Sequence, residues 1–288
     1  MKKGRNLRSV NTDGGVNLQF KLLSAIGIII IVSGHCYHGG MELAYNWFPP
    51  YSYNLALFVF ISGYFYKTDY EANVGKYIWK RTKRLLIPAY LWNIFYGGVV
   101  AFLGLFGFTI GAKPDLYNLF VMPFVDGEAF QYNLGSWFVY PLFLVCIINV
   151  LFRKFLKLIH LDNEFIVLTV YLAIGMIGIN TALENPTAIN GIVKLLLRTM
   201  FFLPCYEFGR FYKAVLEKKD TLNNVAYFAI IFAVQLILLT FCKDLEYTPS
   251  SFTKFNNGFI IPYISSITAI AFWLRVSRLL VPAIGNSK

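Results

Sequence analysis

A long apolar segment near the N-terminus, residues 20–38, limits what this chain can fold into more than any other feature of the sequence. It reads FKLLSAIGIIIIVSGHCYH, with one cation, Lys21, near its start and two histidines near its end. At about 1.5 Å of rise per residue, a helix of this length crosses the hydrocarbon core of a bilayer. An ionisable side chain within such a helix is costly, so His35 is a candidate for a functional residue.

The composition of the whole chain is that of a polytopic membrane protein. Hydrophobic residues make up 57% of the 288 residues and charged residues only 14%, whereas soluble domains contain roughly 25% charged residues. Further apolar segments follow the first, so the sequence predicts a single all-α domain over residues 1–288 with about eight transmembrane helices. The predicted spans are residues 20–38, 52–66, 85–106, 136–152, 164–182, 195–212, 223–241 and 258–274.

The positions of the cations predict how these spans are oriented. If the N-terminal tail, residues 1–17, is cytoplasmic, the cytoplasmic segments hold most of the 26 lysine and arginine residues. Cytoplasmic loops of membrane proteins carry such an excess. The outer side then keeps five cations, Lys113, Lys194, Arg198, Lys243 and Lys254. The net charge of +11 therefore reflects membrane topology, and because no basic stripe crosses a polar surface, nucleic-acid binding is not expected.

The outer connection at residues 107–135 differs from the others in its length and composition. It mixes aromatic and apolar residues with Pro, Asp and Gly. Such a sequence suits an interfacial helix or a re-entrant stretch that covers an outer cavity.

The four cysteines, Cys36, Cys146, Cys205 and Cys242, lie in or beside apolar runs and form no CxxC pair. This placement favours buried free thiols over disulfides or a metal site. No metal is therefore predicted.

Two sets of basic residues are spaced to serve an anionic ligand. Lys21 and His35 lie within about 40° of one helical face and about 21 Å apart along the helix axis. Arg81 and Arg84, in the run KRTKR, are three residues apart and so share a face of a regular α-helix. Arginine pairs suit phosphate or lipid headgroups. A plain interfacial anchor is the alternative interpretation for each cation.

Polar residues also occur within or beside later spans. The Ser62–Gly63 pair in FVFISGYF favours close helix packing. Glu207 and Arg210 are spaced to form an ion pair across one helical turn. Further polar or interfacial residues before the fourth span are Asn133, Ser136 and Trp137.

Taken in order, these segments resemble the acyltransferase 3 family of integral membrane acyltransferases. The similar parts are the first helix ending in SGH, then FVFISGYF, an Arg-x-x-Arg pair before LLIPAYLW, SWF at the fourth span and FGRFYK at the end of the sixth. In the family a cation precedes the histidine by eleven positions. Here that position is Ser24, and Lys21 lies one turn earlier. The family has about ten spans, so its closing helices are expected to be missing after Lys288.

The resemblance implies an O-acyltransferase that moves an acyl group, most often acetyl, from cytoplasmic acyl-CoA to a hydroxyl of an extracytoplasmic polysaccharide or glycolipid. Acyl-CoA is then a substrate, and no tightly bound cofactor is expected. The resemblance also implies a multi-pass protein of the bacterial plasma membrane. It would contact membrane lipid and a carbohydrate acceptor, with proteins of polysaccharide synthesis or export as candidate partners.

The resemblance also assigns roles to particular residues. His35 would act as the general base, and Arg81, Arg84 and Lys21 would bind the phosphates of acyl-CoA. The candidate substrate or oxyanion contacts are Ser62, Asn133, Ser136, Trp137, Glu207 and Arg210.

Two other functions fit the same composition. A glycan exporter or flippase would use polar residues along aromatic-lined spans, and an inactive, truncated membrane subunit would need no chemistry at all. Neither of these functions requires acyl-CoA. Stabilisation of the protein by CoA would therefore favour the enzyme over both.

Overall fold

Helices account for most of the described residues in the computed structural model, which describes residues 11–12, 16–36, 47–108, 111, 113–242 and 244–285. A two-residue strand pair, β1 (Asn11–Thr12) and β2 (Val16–Asn17), precedes the first helix. The helices are α1 (Leu18–Cys36), α2 (Asn54–Tyr64), α3 (Val74–Arg81), α4 (Ile87–Leu105), α5 (Met122–Val125), α6 (Val139–Leu158), α7 (Glu164–Glu184), α8 (Gly191–Phe211), α9 (Asn224–Phe241) and α10 (Ile261–Gly285).

Short turns of other helical types join several of these helices. A π-helical turn, Thr82–Leu86, connects α3 to α4, and a second, Tyr212–Leu216, follows α8. The outer connection contains a third π-helical turn, Tyr117–Val121, and a 3₁₀ turn, Gln131–Phe138, that leads into α6. The predicted interfacial stretch thus consists of short helical pieces.

The prediction of an all-helical membrane protein is confirmed. A helix coincides with each of the eight predicted spans, and six segments are long and apolar enough to cross a membrane. Of the other two helices, α2 has only 11 residues, and α8 carries Lys194, Arg198, Glu207 and Arg210 among its apolar residues. The count of eight spans and the cytoplasmic N-terminus remain predictions.

The bundle has two ends, and contacts between the helix termini define them. At one end the start of α1 meets the end of α2, where the Phe20 and Tyr64 rings stack with 3.9 Å between their centroids. We call it the Arg153 end, because Arg153 of α6 lies there. At the opposite end, the His35 end, the Tyr51 hydroxyl donates to the carbonyl oxygen of Gly34 at 3.2 Å. In the predicted orientation the Arg153 end is cytoplasmic.

The core lies around α8, which packs against α2, α6 and α7. Two glycines let α2 and α8 approach closely, because Gly63 lies against the backbone of Tyr206 and Gly209 against the backbone of Phe60. A methyl group at either glycine would overlap a carbonyl oxygen of the facing helix. Close packing at Gly63, as the Ser–Gly pair predicts, is confirmed.

Substitution Gly63→Ala should therefore destabilise the bundle by about 1–3 kcal/mol or more, because the added methyl group forces α2 away from α8. Thermal unfolding of the purified protein in detergent measures the effect. Gly98→Ala is the matched control, since no atom of another segment among the described residues lies within 4 Å of the added carbon there and alanine favours a helix. Equal unfolding temperatures for the two variants would contradict the packing argument.

The outer surface of the bundle is apolar along several helices. Leu91 and Phe95 of α4, Ile177 of α7 and Phe241 of α9 are all at least half exposed. Exposed apolar surface on this scale is not expected in water. We therefore interpret these faces as the surface that contacts lipid.

Candidate functional site

His35 lies in the last turn of α1 and is exposed at the His35 end. Its ring Nδ1 donates to the carbonyl oxygen of Ile31 at 2.8 Å. Because a carbonyl oxygen can only accept, this contact assigns the proton to Nδ1 and leaves Nε2 without a protein partner in the described residues. The Tyr51 ring lies beside it, with 6.4 Å between ring centroids. The site therefore presents a nitrogen base to a ligand that arrives at this end.

Lys21 and His35 lie on one exposed face of α1, as their spacing predicts. Ala25, Ile28 and Val32 are also exposed and fall between them at intervals of three or four residues. Lys21 is exposed and borders a groove of about 450 Å³ between α1 and α2. The other residues along this groove are Asn17, Phe20, Ser24, Ala25, Ile28, Ile61 and Phe65. The second histidine of the segment, His38, lies outside the described residues.

The basic run KRTKR is divided between two environments. Lys80 and Arg81 turn toward tyrosines: Lys80 Nζ donates to the Tyr70 hydroxyl at 3.2 Å and Arg81 Nε to the Tyr77 hydroxyl at 3.0 Å. The π-helical turn Thr82–Leu86 then begins, and Arg84 is exposed. The structure does not bring Arg81 and Arg84 to one face, because a π turn contains more residues than the α-helical turn on which that prediction rests.

Arg81 differs from the other half-buried or buried arginines at the Arg153 end in having no carboxylate partner. Within the described residues, no Asp or Glu oxygen lies within 4.0 Å of its guanidinium, whereas Arg153, Arg210, Arg275 and Arg278 each pair with a carboxylate. Its neighbours are uncharged phenols. The positive charge of Arg81 is therefore available to an anionic ligand.

Five charged residues form a cluster where α6, α7 and α8 meet, and two of them, Arg153 and Glu207, are fully buried. Arg153, with a fully buried side chain, donates to Glu207 at 2.6 Å, to Glu164 at 2.7 Å and to Asp162 at 3.2 Å. Arg210 donates to Glu164 at 2.8 Å. The prediction that Glu207 pairs with Arg210 is wrong, because each binds a partner on another helix. Arg153 directly follows the predicted span 136–152, yet it is buried within α6.

Tyr66 and Glu71 extend this cluster into the connection between α2 and α3. The Arg210 guanidinium lies 5.0 Å from the centroid of the Tyr66 ring, and the Tyr66 hydroxyl donates to Glu71 at 3.2 Å. Glu207 and Arg210 are thus bound to protein groups in a network that connects α6, α7 and α8, and their predicted contact with a substrate remains a prediction.

Asn133, Ser136 and Trp137 lie in the 3₁₀ turn before α6, at the level of the outer connection. Asn133 Nδ2 donates to Asn93 Oδ1 at 2.7 Å, and Ser136 Oγ donates to the Asn133 carbonyl oxygen at 2.7 Å. The Trp137 ring lies 4.7 Å from the Arg198 guanidinium. No contact within the described residues joins any of the three to His35.

Ser62 lies elsewhere again, near the end of α2 that faces the Arg153 end, whereas Tyr51 beside His35 precedes the start of α2. It is half-buried. The candidate oxyanion donors Ser62, Asn133 and Ser136 are therefore not gathered around His35.

Arg198 is a structural residue whose role the sequence analysis missed. Assigned there to an outer loop, it is instead buried in α8 and donates to the backbone carbonyl oxygens of Gly127, Pro249 and Ser250. It thereby ties the outer connection to the segment before α10. The sequence does contain a signal for this role, because Arg198 lies inside the predicted span 195–212 and a cation at such a position needs buried acceptors.

Comparison with known proteins yields one similarity. A family model described as an acyltransferase domain, the acyltransferase 3 model, matches residues 17–287, which is nearly the whole chain. No curated protein and no solved structure matches the chain significantly.

Proposed function

The chain belongs to the acyltransferase 3 family, and we propose that it is a membrane O-acyltransferase that takes its acyl group from acyl-CoA. The observation that carries this proposal is His35, whose Nδ1 is hydrogen-bonded to Ile31 and whose Nε2 has no protein partner among the described residues. An exposed imidazole with one nitrogen held by the backbone has the arrangement that a general base requires.

In this proposal His35 activates the acceptor. The Nε2 nitrogen accepts the proton of an acceptor hydroxyl while the hydroxyl oxygen attacks the thioester carbonyl carbon. A new carbon–oxygen bond forms, the carbon–sulfur bond breaks, and the CoA thiolate leaves and takes up the proton. A positioned general base of this kind contributes about 10²- to 10⁴-fold to a rate.

The acyl donor approaches from the Arg153 end, which is cytoplasmic in the predicted orientation. Of the three cations predicted to bind its phosphates, Arg81 is half-buried and has no carboxylate partner within the part of the chain that the structure describes, whereas Lys21 and Arg84 are exposed. Guanidinium groups bind phosphate by paired hydrogen bonds. We therefore assign the donor's phosphates first to Arg81, with the flexible thioester arm reaching along the helices toward His35.

The acceptor in this proposal is a hydroxyl of a polysaccharide or glycolipid outside a bacterial plasma membrane, and the transferred group is most often acetyl. The exposure of His35 at the end opposite Arg81 supports an acceptor that arrives from the other side of the membrane. Proteins that synthesise or export the polysaccharide would supply it.

Substitution Arg81→Gln should raise the apparent KM for acyl-CoA about tenfold or more, because a charged hydrogen bond to phosphate contributes about 1.5–3 kcal/mol. The value of kcat should change less, since Arg81 is far from the reacting atoms. Steady-state kinetics in proteoliposomes measure both constants. Lys76→Gln, which removes an exposed cation of α3, is the control, and an equal rise in KM for both variants would refute a specific role of Arg81.

The proposed function itself is tested with the purified protein and with cells. We expect acetyl-CoA to raise the thermal unfolding temperature, and labelled acetyl groups to pass to a glycan acceptor in vesicles. Mass spectrometry of surface glycans from a deletion strain should show the loss of one acyl group. An exporter or an inactive subunit would show neither stabilisation by CoA nor acyl transfer. The absence of both results would therefore exclude the enzyme.

A further inference from the structure

The divided basic run leaves two exposed cations, Lys83 and Arg84, whereas Lys80 and Arg81 are bound to tyrosines. Lys83 Nζ lies 5.0 Å from the centroid of the Trp79 ring, and Trp79 is 55% exposed. Within the described residues, neither Lys83 nor Arg84 pairs with a carboxylate. These two cations and the tryptophan form one exposed group at the Arg153 end.

The depth of this group follows from the length of the helix that carries it. The continuous apolar segment Val74–Leu105 has 32 residues, but about 20 residues suffice to cross the hydrocarbon core. The last 21 residues of this segment, residues 85–105, carry no charge. They are long enough to fill the hydrocarbon core. Lys83 and Arg84 then lie within one turn of its edge, where the phosphate groups of the lipids lie.

The orientation of the group follows from the helix face below it. Ile87 and Leu91, three and seven residues after Arg84, are 37% and 60% exposed. Ile87 and Leu91 are four residues apart on the regular helix α4 and so share a face, and this exposed apolar face contacts lipid. Arg84 precedes this face by three residues and is itself exposed, so it lies at the surface of the bundle and not in its interior.

We propose that Lys83 and Arg84, together with Trp79, bind the headgroup phosphate of an anionic phospholipid. Arginine can hold two phosphate oxygens in its planar fork, and lysine adds a point charge. A tryptophan at the interface fits beside the glycerol region of the lipid, and the acyl chains would lie along Ile87 and Leu91. The run KRTKR thus serves two anions, with Arg81 turned toward the interior and Arg84 toward the bilayer.

Native mass spectrometry tests the proposal by titrating the full-length protein in detergent with phosphatidylglycerol and, separately, with phosphatidylcholine. The double variant Lys83→Gln/Arg84→Gln should bind phosphatidylglycerol about 10- to 30-fold more weakly, since each cation near an anionic surface contributes a factor of about five. Binding of the neutral lipid should not change. The matched control, Lys218→Gln/Lys219→Gln, removes two exposed cations at the same end and should bind like the wild type.

Three outcomes would overturn the proposal. Unchanged phosphatidylglycerol binding by the Lys83→Gln/Arg84→Gln variant would show that these cations do not bind lipid. An equal loss in the Lys218→Gln/Lys219→Gln control would show only a general effect of charge. Displacement of phosphatidylglycerol by acyl-CoA would assign the pair to the soluble donor. Because lipid binding is measured without acyl transfer, failure here is distinct from failure of the proposed enzyme.

Discussion

Replacing His35 by Asn should lower the rate of acyl transfer by about 10²- to 10⁴-fold, because the amide cannot accept the proton of the acceptor hydroxyl. The variant should still insert and bind acyl-CoA, since His35 is exposed and its only hydrogen bond among the described residues is to the backbone of its own helix. Transfer of labelled acetyl groups in vesicles measures the first expectation. Stabilisation by acetyl-CoA measures the second.

His160→Asn provides the matched control for this experiment. His160 is exposed at the Arg153 end and has a φ of 57°, a left-handed conformation that asparagine also tolerates. The control variant should therefore keep wild-type transfer and stability. Full activity of the His35→Asn variant would show that His35 takes no part in the reaction. Loss of membrane insertion in that variant would show that the imidazole supports the fold.

Replacing Arg153 by Met should have the largest effect on stability, with a cost of about 3–5 kcal/mol. The side chains of Arg153 and Glu207 are both fully buried, and the carboxylate would lose its partner without gaining water. Thermal unfolding in detergent, together with the yield of folded protein, measures the loss. Lys154→Met is the control, because Lys154 is the exposed neighbour on the same helix and should change stability little.

A double variant distinguishes a charge effect from a packing effect at this cluster. Arg153→Met/Glu207→Leu removes both buried charges and leaves the Glu164–Arg210 pair in place. Replacement of a buried ion pair by apolar groups is often neutral, so the double variant should recover most of the stability lost in Arg153→Met. If the loss of stability in the double variant equals the sum of the losses in the two single variants, the cluster stabilises the bundle by shape and not by charge.

The helical membrane fold follows from the sequence because apolar length alone determines where helices cross a bilayer. The shared face of Lys21 and His35 also follows from the sequence, since α1 is a regular helix and the angle between successive residues is fixed. Partners between helices could not be derived in this way. Glu207 lies one turn from Arg210, yet its partner is 54 residues away on α6, and only the packing of α6 against α8 brings them together.

Departures from the regular helix explain the remaining differences. The division of Arg81 from Arg84 depends on a π-helical turn, and nothing in KRTKRLL marks that turn in advance. The charge pattern places Arg198 among the outer cations, but three backbone carbonyl oxygens from two distant segments surround it. Such acceptors carry no signal in a sequence, since every residue has one.

The shortness of α2 has a consequence for the distance over which an acyl group would be carried. Its 11 residues extend about 16 Å, about half the thickness of the hydrocarbon core. The irregular backbone at its two ends is shielded by protein, with Ser52, Tyr53 and Tyr66 all buried, as backbone at membrane depth must be. Beside α1, the regular helical path between the His35 end and the Arg153 end is thus short along α2, at about half the thickness of the hydrocarbon core.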